Sequence, residues 1–366
     1  MASHYIHKPE NALKRANELI NIGNKKVALE LLHGVLTSRR YKTWQKVYET
    51  MMVAYMDLCV DLQEHLFAKD GLHQYRNMSQ QQAPGSLELV INHLVDAAEA
   101  RAAQAQATAD AAAAQTECAQ VADLEAESSP EAILLSTMTE EGEQERRERA
   151  VVVPWLKFLW ETYRAVLDIL RSNSKLEHVY HGTCRKAFAF CGKNRRMLEF
   201  RRLCETMRQH VGHLQKHVAQ HTAQRLRGWD GFTPESVELH LQTRFAQLKA
   251  ATALEVWTEA FRTIEDIYSI MQINKKAPKA RLMAAYFEQL TRIFWVSQNR
   301  LFHAYAWLKY YQLGREYNKV LTEEEKRAQA GKVLLAALAV PEGATHAAPF
   351  DEGDADAAEA GGGAGG

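Results

Sequence analysis

The sequence predicts an all-α fold built from stacked helical hairpins. Three observations carry this. Apolar residues recur at spacings of three and four from residue 12 to residue 338, the period of a helix with one buried face, and strand-like alternation is hard to find anywhere. Proline and glycine are sparse and stand where helices should begin or end. Helical pairs also resemble one another, although no strict period survives: a small residue followed by a large one recurs at Ala28-Leu29, Ala260-Phe261 and Ala304-Tyr305. A small side chain there lets a partner helix approach closely, and the large one fills the groove beside it. That is the logic of a right-handed, tetratricopeptide-like helical-repeat solenoid.

Taken in order, the marks are Pro9, Gly23, Pro84-Gly85, Pro154, Gly192, Gly228 to Pro234, Pro278 and Gly314, which cut the chain into about a dozen helices. Residues 1–96 are expected to form N-terminal helical repeats. From Ala97 to Ala126 half of the residues are alanine and only Arg101 is basic. Alanine favours helix but offers little apolar area to bury, so residues 97–150 are expected to be a weakly packed helix or linker. Residues 151–340 resume the repeats. The acidic, glycine-rich tail 341–366 is expected to be disordered.

Lys plus Arg and Asp plus Glu number 45 each in the 366 residues, so no global field draws the chain to nucleic acid or a membrane. The apolar run LLAALAV (334–340) is too short to cross a bilayer, and no segment reads as a secretory leader. The expectation is a cytoplasmic protein. There Cys59, Cys118, Cys184, Cys191 and Cys204 stay reduced, and their odd number also argues against a disulfide framework.

No phosphate-cradling glycine loop, HExxH, nucleophile elbow or paired CxxC knuckle occurs, so no enzyme activity, cofactor or small-molecule substrate is expected. The densest collection of metal-ligand types is HVYHGTCRKAFAFCGKNRRMLEFRRLC, residues 178–204. His178, His181 and Cys184 step by three around a helix, unlike the close pairs of structural zinc. Cys184, Phe188 and Cys191 form one apolar stripe. Met197, Phe200, Cys204, Met207, Val211, Leu214 and Val218 form another, so no metal is expected. Beside it run His210, His213, His217 and His221, read as a polar helix flank. Basic clusters remain. Residues 1–42 carry eight Lys or Arg, including Lys25, Lys26, Arg39, Arg40 and Lys42, against three Glu. Arg195, Arg196, Arg201 and Arg202 form a second cluster, and Lys275, Lys276 and Lys279 a third. Each reads either as a solvated face or as a salt-sensitive contact to ribosomal RNA or acidic protein.

PENALKRANE (9–18), TWQKVYE (43–49), YMDLCVDL (55–62), AKDGLHQYRN (68–77), PWLKFLWETYRAVLDILRSNS (154–174), EFRRLC (199–204), KAPKARLMAAYFEQLTRIFW (276–295) and KVLLAALAVP (332–341) together resemble, in order, the amino-terminal part of the family of the largest subunit of eukaryotic translation initiation factor 3. The resemblance implies a helical-repeat arm leading into the start of a PCI module. It also implies a scaffold role, binding the small (40S) ribosomal subunit, its proteins and rRNA, near the mRNA exit side, and other initiation-factor subunits, chiefly the c subunit. The family continues past KVLLAALAVP through a winged helix, so a truncated chain is the expectation here. The rival reading is a PCI-type scaffold component of a proteasome-lid or signalosome complex.

Overall fold

The computed structural model describes residues 9–38, 44–112, 143–171, 173–221, 233–273, 278–317 and 322–341. Among them are thirteen α-helices, a single 3-10 turn at Ser174–Leu176 and no strand. Two compact units divide the chain, Met1–Asn274 and Lys275–Gly366. The first holds α1 (Pro9–Asn21), α2 (Lys25–Thr37), α3 (Lys46–Leu62), α4 (His65–Ser79), α5 (Pro84–Ala112), α6 (Glu143–Leu170), α7 (Glu177–Lys193), α8 (Met197–His221), α9 (Pro234–Ala253) and α10 (Trp257–Ile273). The second holds α11 (Ala280–Val296), α12 (Arg300–Tyr317) and α13 (Glu323–Leu338).

In the first unit each early helix packs on its successor and on the one after: α1 on α2 and α3, α2 on α3 and α4, α3 on α4 and α5, α4 on α5 and α6. The pattern continues as α6 meets α7, α7 meets α9 and α9 meets α10. Contacts confined to near neighbours are what a helical solenoid gives, so the unit is all-α and repeat-built, as the spacing predicts.

The repeat is clearest in the turns. Gly23, Gln63, Arg195, Glu255 and Gln298 all adopt left-handed backbone, with φ between 50° and 92°. The next residue then reaches back five positions: Asn24 to Leu19, Glu64 to Cys59, Arg196 to Cys191, Val256 to Ala251 and Asn299 to Phe294, at 2.9–3.0 Å. This satisfies the carbonyls that a helix end leaves open. The carbonyl of that same residue accepts the first bond of the following helix, from Ala28, Ala68, Phe200, Ala260 and His303. One residue thus closes one helix and opens the next.

Several sequence expectations change. Ala28, Leu29 and Ala260 are buried, but Phe261 and Tyr305 are exposed, and on α12 Ala306 rather than Ala304 is buried. Gly314 lies inside α12 and Pro154 inside α6, so neither ends its helix. Buried Val152, Leu156, Phe158, Leu159 and Trp160 flank Pro154, and their packing outweighs the one backbone bond the proline removes. Gly192 likewise stays within α7, and Arg195 takes the left-handed position instead.

The alanine-rich stretch also differs from its reading. Helix α5 runs unbroken through residues 96 and 97 to Ala112, and Ala98, Ala102 and Ala105 are buried. At spacings of four and three they form a low ridge on α5, which packs on α6, so small size here gives close approach rather than weak packing. Glu99 accepts hydrogen bonds from the Tyr163 hydroxyl on α6 at 2.7 Å and from Lys186 Nζ on α7 at 3.2 Å. Lys186 also reaches Asp96 at 2.7 Å. Residues 113–142, which hold the remainder of that stretch, and the tail beyond 341 lie outside the described residues.

A glycine does decide one contact. At Gly71 of α4 a Cβ would stand 2.4 Å from Cε1 of Tyr55 on α3. The Tyr55 ring cannot yield cheaply, because it is wholly buried and its hydroxyl donates to the Phe67 carbonyl at 2.7 Å. Gly71→Ala is expected to cost about 1–3 kcal/mol of stability by overpacking. Urea denaturation followed by circular dichroism measures it, and an unchanged midpoint would show that α3 and α4 separate freely.

Candidate functional site

The cysteine-rich segment folds into two core stripes. On α7, Cys184, Phe188 and Cys191 are buried, and on α8, Phe200, Cys204 and Met207. The Phe188 and Phe200 rings meet across the helix pair with centroids 5.6 Å apart. Burial pushes the Cys184 thiol up to about 12 and raises Cys191 and Cys204 as well, so none is a ready thiolate. Met197, placed on the α8 stripe by spacing, is exposed.

The histidine flank needs correction at its first member. His210 is buried, with Nδ1 3.0 Å from the Tyr180 hydroxyl, and burial, helped by the charge of Arg171, lowers its imidazole to about 4. His213 is exposed, while the side chains of His217 and His221 lie outside the described residues.

The basic candidates also separate. Lys26 is exposed, but Lys25 is half-buried with Nζ 2.6 Å from Asp61, which Arg101 also engages at 2.5 Å. That pairing holds α2, α3 and α5 together. Arg195, Arg201 and Arg202 are exposed. Arg196 is not: as the residue that caps α8 it turns inward and is buried, so it is not a surface charge. Lys279 is exposed ahead of α11. Arg39, Arg40, Lys42, Lys275 and Lys276 lie outside the described residues.

The charged and polar groups most deeply gathered lie between α7, α8, α9 and α10. Glu177 opens α7, and His181 stands one turn later on the same face. Helix α9 is started by Thr233, whose hydroxyl caps Ser236, with Pro234 at its first position. It carries Ser236, His240, Thr243 and Arg244 against α7. His181 Nδ1 lies 2.9 Å from Thr243 Oγ1, the rings of His181 and His240 are 4.4 Å apart, and the Ser236 hydroxyl donates to Glu177 Oε1 at 2.5 Å. Burial drives the Glu177 carboxyl up, yet the polar groups around it, among them the Ser236 hydroxyl donor, outweigh that and leave it below the usual range. Burial lowers both imidazoles, His240 to about 3, so both are neutral at pH 7. The donor atoms of Glu177, His181 and His240 all lie within 4.8 Å of one another, an arrangement that can hold a cation.

Next to it, Arg244 is buried with Nη1 3.2 Å from Asp266 Oδ2 and 2.7 Å from Gln247 Oε1. Arg208 of α8 contacts Glu259 of α10 and lies 3.6 Å from Asp266. These pairs tie three helices together. Sequence spacing misses both groups, because Glu177 and His240 lie far apart in the chain and only α7–α9 packing joins them. The one signal in the sequence is the four-residue step of Glu177 and His181.

The second unit differs in its surface. Thr322 caps α13, its hydroxyl accepting from Glu325 N while the Glu325 carboxylate accepts from Thr322 N. Of the residues of α13 only Ala336 is buried, while Leu334, Leu335 and Leu338, with Trp295 of α11, are 62–74% exposed. Phe302 and Leu308 of α12 are exposed too. Exposed large apolar side chains are thus concentrated on the second unit.

A family model described as "eIF3a, PCI domain, TPR-like region" matches residues 10–358. Curated relatives include the A subunit of eukaryotic translation initiation factor 3 from Arabidopsis thaliana, 49% identical over 344 residues covering 94% of this chain and 33% of that protein. The Nicotiana tabacum protein of the same name is 50% identical over 345 residues, 94% of this chain and 34% of its own length. The Homo sapiens one is 42% identical over 337 residues, 92% of this chain and 24% of its own length. The chain thus spans about a third of the length of the plant relatives it matches. No helix among the described residues is long and apolar enough to cross a membrane.

Proposed function

The chain belongs to the family of the A subunit of eukaryotic translation initiation factor 3, and from that premise we propose that it is a non-catalytic scaffold of the initiation-factor complex. In this reading it binds the small ribosomal subunit, near the mRNA exit side, through its basic faces, and it meets other subunits, chiefly the c subunit, through its second unit. The observation that carries the scaffold reading is the uncovered apolar surface of α11 to α13, together with polar groups that are engaged in tying helices to one another. Lys26, Arg195, Arg201, Arg202 and Lys279 are the exposed charges offered to ribosomal RNA or protein. Arg39, Arg40, Lys42, Lys275 and Lys276 join them as sequence expectations. The cytoplasm, where initiation takes place, is its proposed location.

A pull-down of purified small ribosomal subunits across a salt series tests this. The chain is compared with a variant carrying Lys26→Glu, Arg195→Glu, Arg201→Glu and Arg202→Glu. Binding that weakens about tenfold or more in the variant, with a shallower salt dependence, is the expected result, since each neutralised phosphate contact contributes to that slope. Equal binding by both proteins removes these residues from the interface. Co-purification with proteasome-lid or signalosome subunits and no ribosomal material would replace the reading by its rival.

A further inference from the structure

Glu177, His181 and His240 converge on one point from two helices, and we propose that they form a zinc site that staples α7 to α9. The Nε2 atoms of His181 and His240 lie 3.7 Å and 3.5 Å from the same oxygen, Oε1 of Glu177. Those separations are long for hydrogen bonds. They are the spacing that two ligand atoms keep around one tetrahedral ion, because bonds of about 2.0–2.1 Å set neighbouring ligands roughly 3.3–3.5 Å apart. Small side-chain adjustments bring all three donors onto a common centre.

The surrounding hydrogen bonds point the same way. The Thr243 hydroxyl donates to the Leu239 carbonyl at 3.0 Å and therefore accepts from His181 Nδ1 at 2.9 Å. This puts the ring proton on Nδ1 and leaves a lone pair on Nε2. That lone pair is wholly buried, has no hydrogen-bond partner and faces a carboxylate oxygen. Two acceptors face each other, and a cation between them removes the conflict. Zinc-binding histidines are oriented in this way by an outer partner on the second ring nitrogen, and the carboxylate ligand is in turn hydrogen-bonded, here by Ser236. Two imidazoles and one carboxylate suit Zn2+, whereas Mg2+ and Ca2+ take oxygen ligands. The fourth position is left for water. The Glu177 side chain retains about a fifth of its exposure, so an ion can enter from that side.

The test uses the full, untagged chain. Zn2+ is titrated in competition with a chromophoric chelator, and Co2+ is substituted to read coordination from its visible absorption. The result expected is one ion per chain with the intense bands of tetrahedral Co2+. Glu177→Gln and His240→Gln should abolish those bands, and Thr243→Val, which keeps the shape of the side chain but removes the outer partner, should weaken zinc about tenfold. Circular dichroism establishes that each variant is folded, and where a ligand variant is not, Thr243→Val supplies the comparison. No stoichiometric zinc uptake by the unaltered chain overturns the site, as do bands that persist in the folded variants.

Discussion

Asp266→Ala is expected to lower the thermal unfolding midpoint of the chain by about 6–20 °C. Arg244 is 3% exposed, and Asp266 is its only ion-pair partner among the described residues, at 3.2 Å. The same carboxylate lies 3.6 Å from Arg208. Removing it leaves a guanidinium uncompensated in the interior, a loss of about 3–5 kcal/mol, far more than a surface pair is worth. A unit of this size loses about 2–4 °C for each kcal/mol. Asp266→Asn should fall between the two, because it keeps an acceptor and loses only the charge. Differential scanning fluorimetry measures all three proteins, and an Asp266→Ala midpoint equal to that of the unaltered chain would mean that Gln247 and solvent satisfy Arg244 without help.

Phe188→Ala should be as costly, for a different reason. Its ring is wholly enclosed between α7 and α8, against Phe200 with centroids 5.6 Å apart. Truncation deletes the apolar contact and leaves a cavity that rigid neighbouring helices cannot fill, costing about 3–5 kcal/mol. Phe188→Leu, which keeps most of the volume, should recover more than half of that. Urea titration of the three proteins separates the outcomes, and a Phe188→Ala loss below about 1 kcal/mol would show that the two helices close over the gap.

The helical period makes the fold legible, since burial on one face of a helix leaves a trace every three or four residues. The stripe through Cys184, Phe188 and Cys191 is readable from spacing because it lies within a single helix. What spacing misreads depends on neighbours. Ala98, Ala102 and Ala105 look like weak packing when counted by apolar area, yet small size lets α6 come close. Arg196 looks like surface charge because its role in closing one helix and opening the next is not written in its side chain. The turns at Gln63, Arg195, Glu255 and Gln298 carry no glycine and so give no stop signal. Beyond the four-residue step of Glu177 and His181, the cluster with His240 is not legible, because spacing rules see one helix at a time and this group needs two.

Those four turns also set a limit on how firmly the arm is built. A side chain in left-handed backbone costs about 1–2 kcal/mol, and glycine's own entropy cost of about 0.5–1 kcal/mol takes back part of it, so together the four withhold on the order of 2–4 kcal/mol that glycine would return. That sum is a sizeable share of the stability of many small domains. The fold therefore keeps a reserve it does not draw on, held at the bends between helices rather than in its core. At Arg195 the reason is visible: glycine there would firm the bend and erase an exposed positive charge, so rigidity and surface charge are set against each other at a single residue.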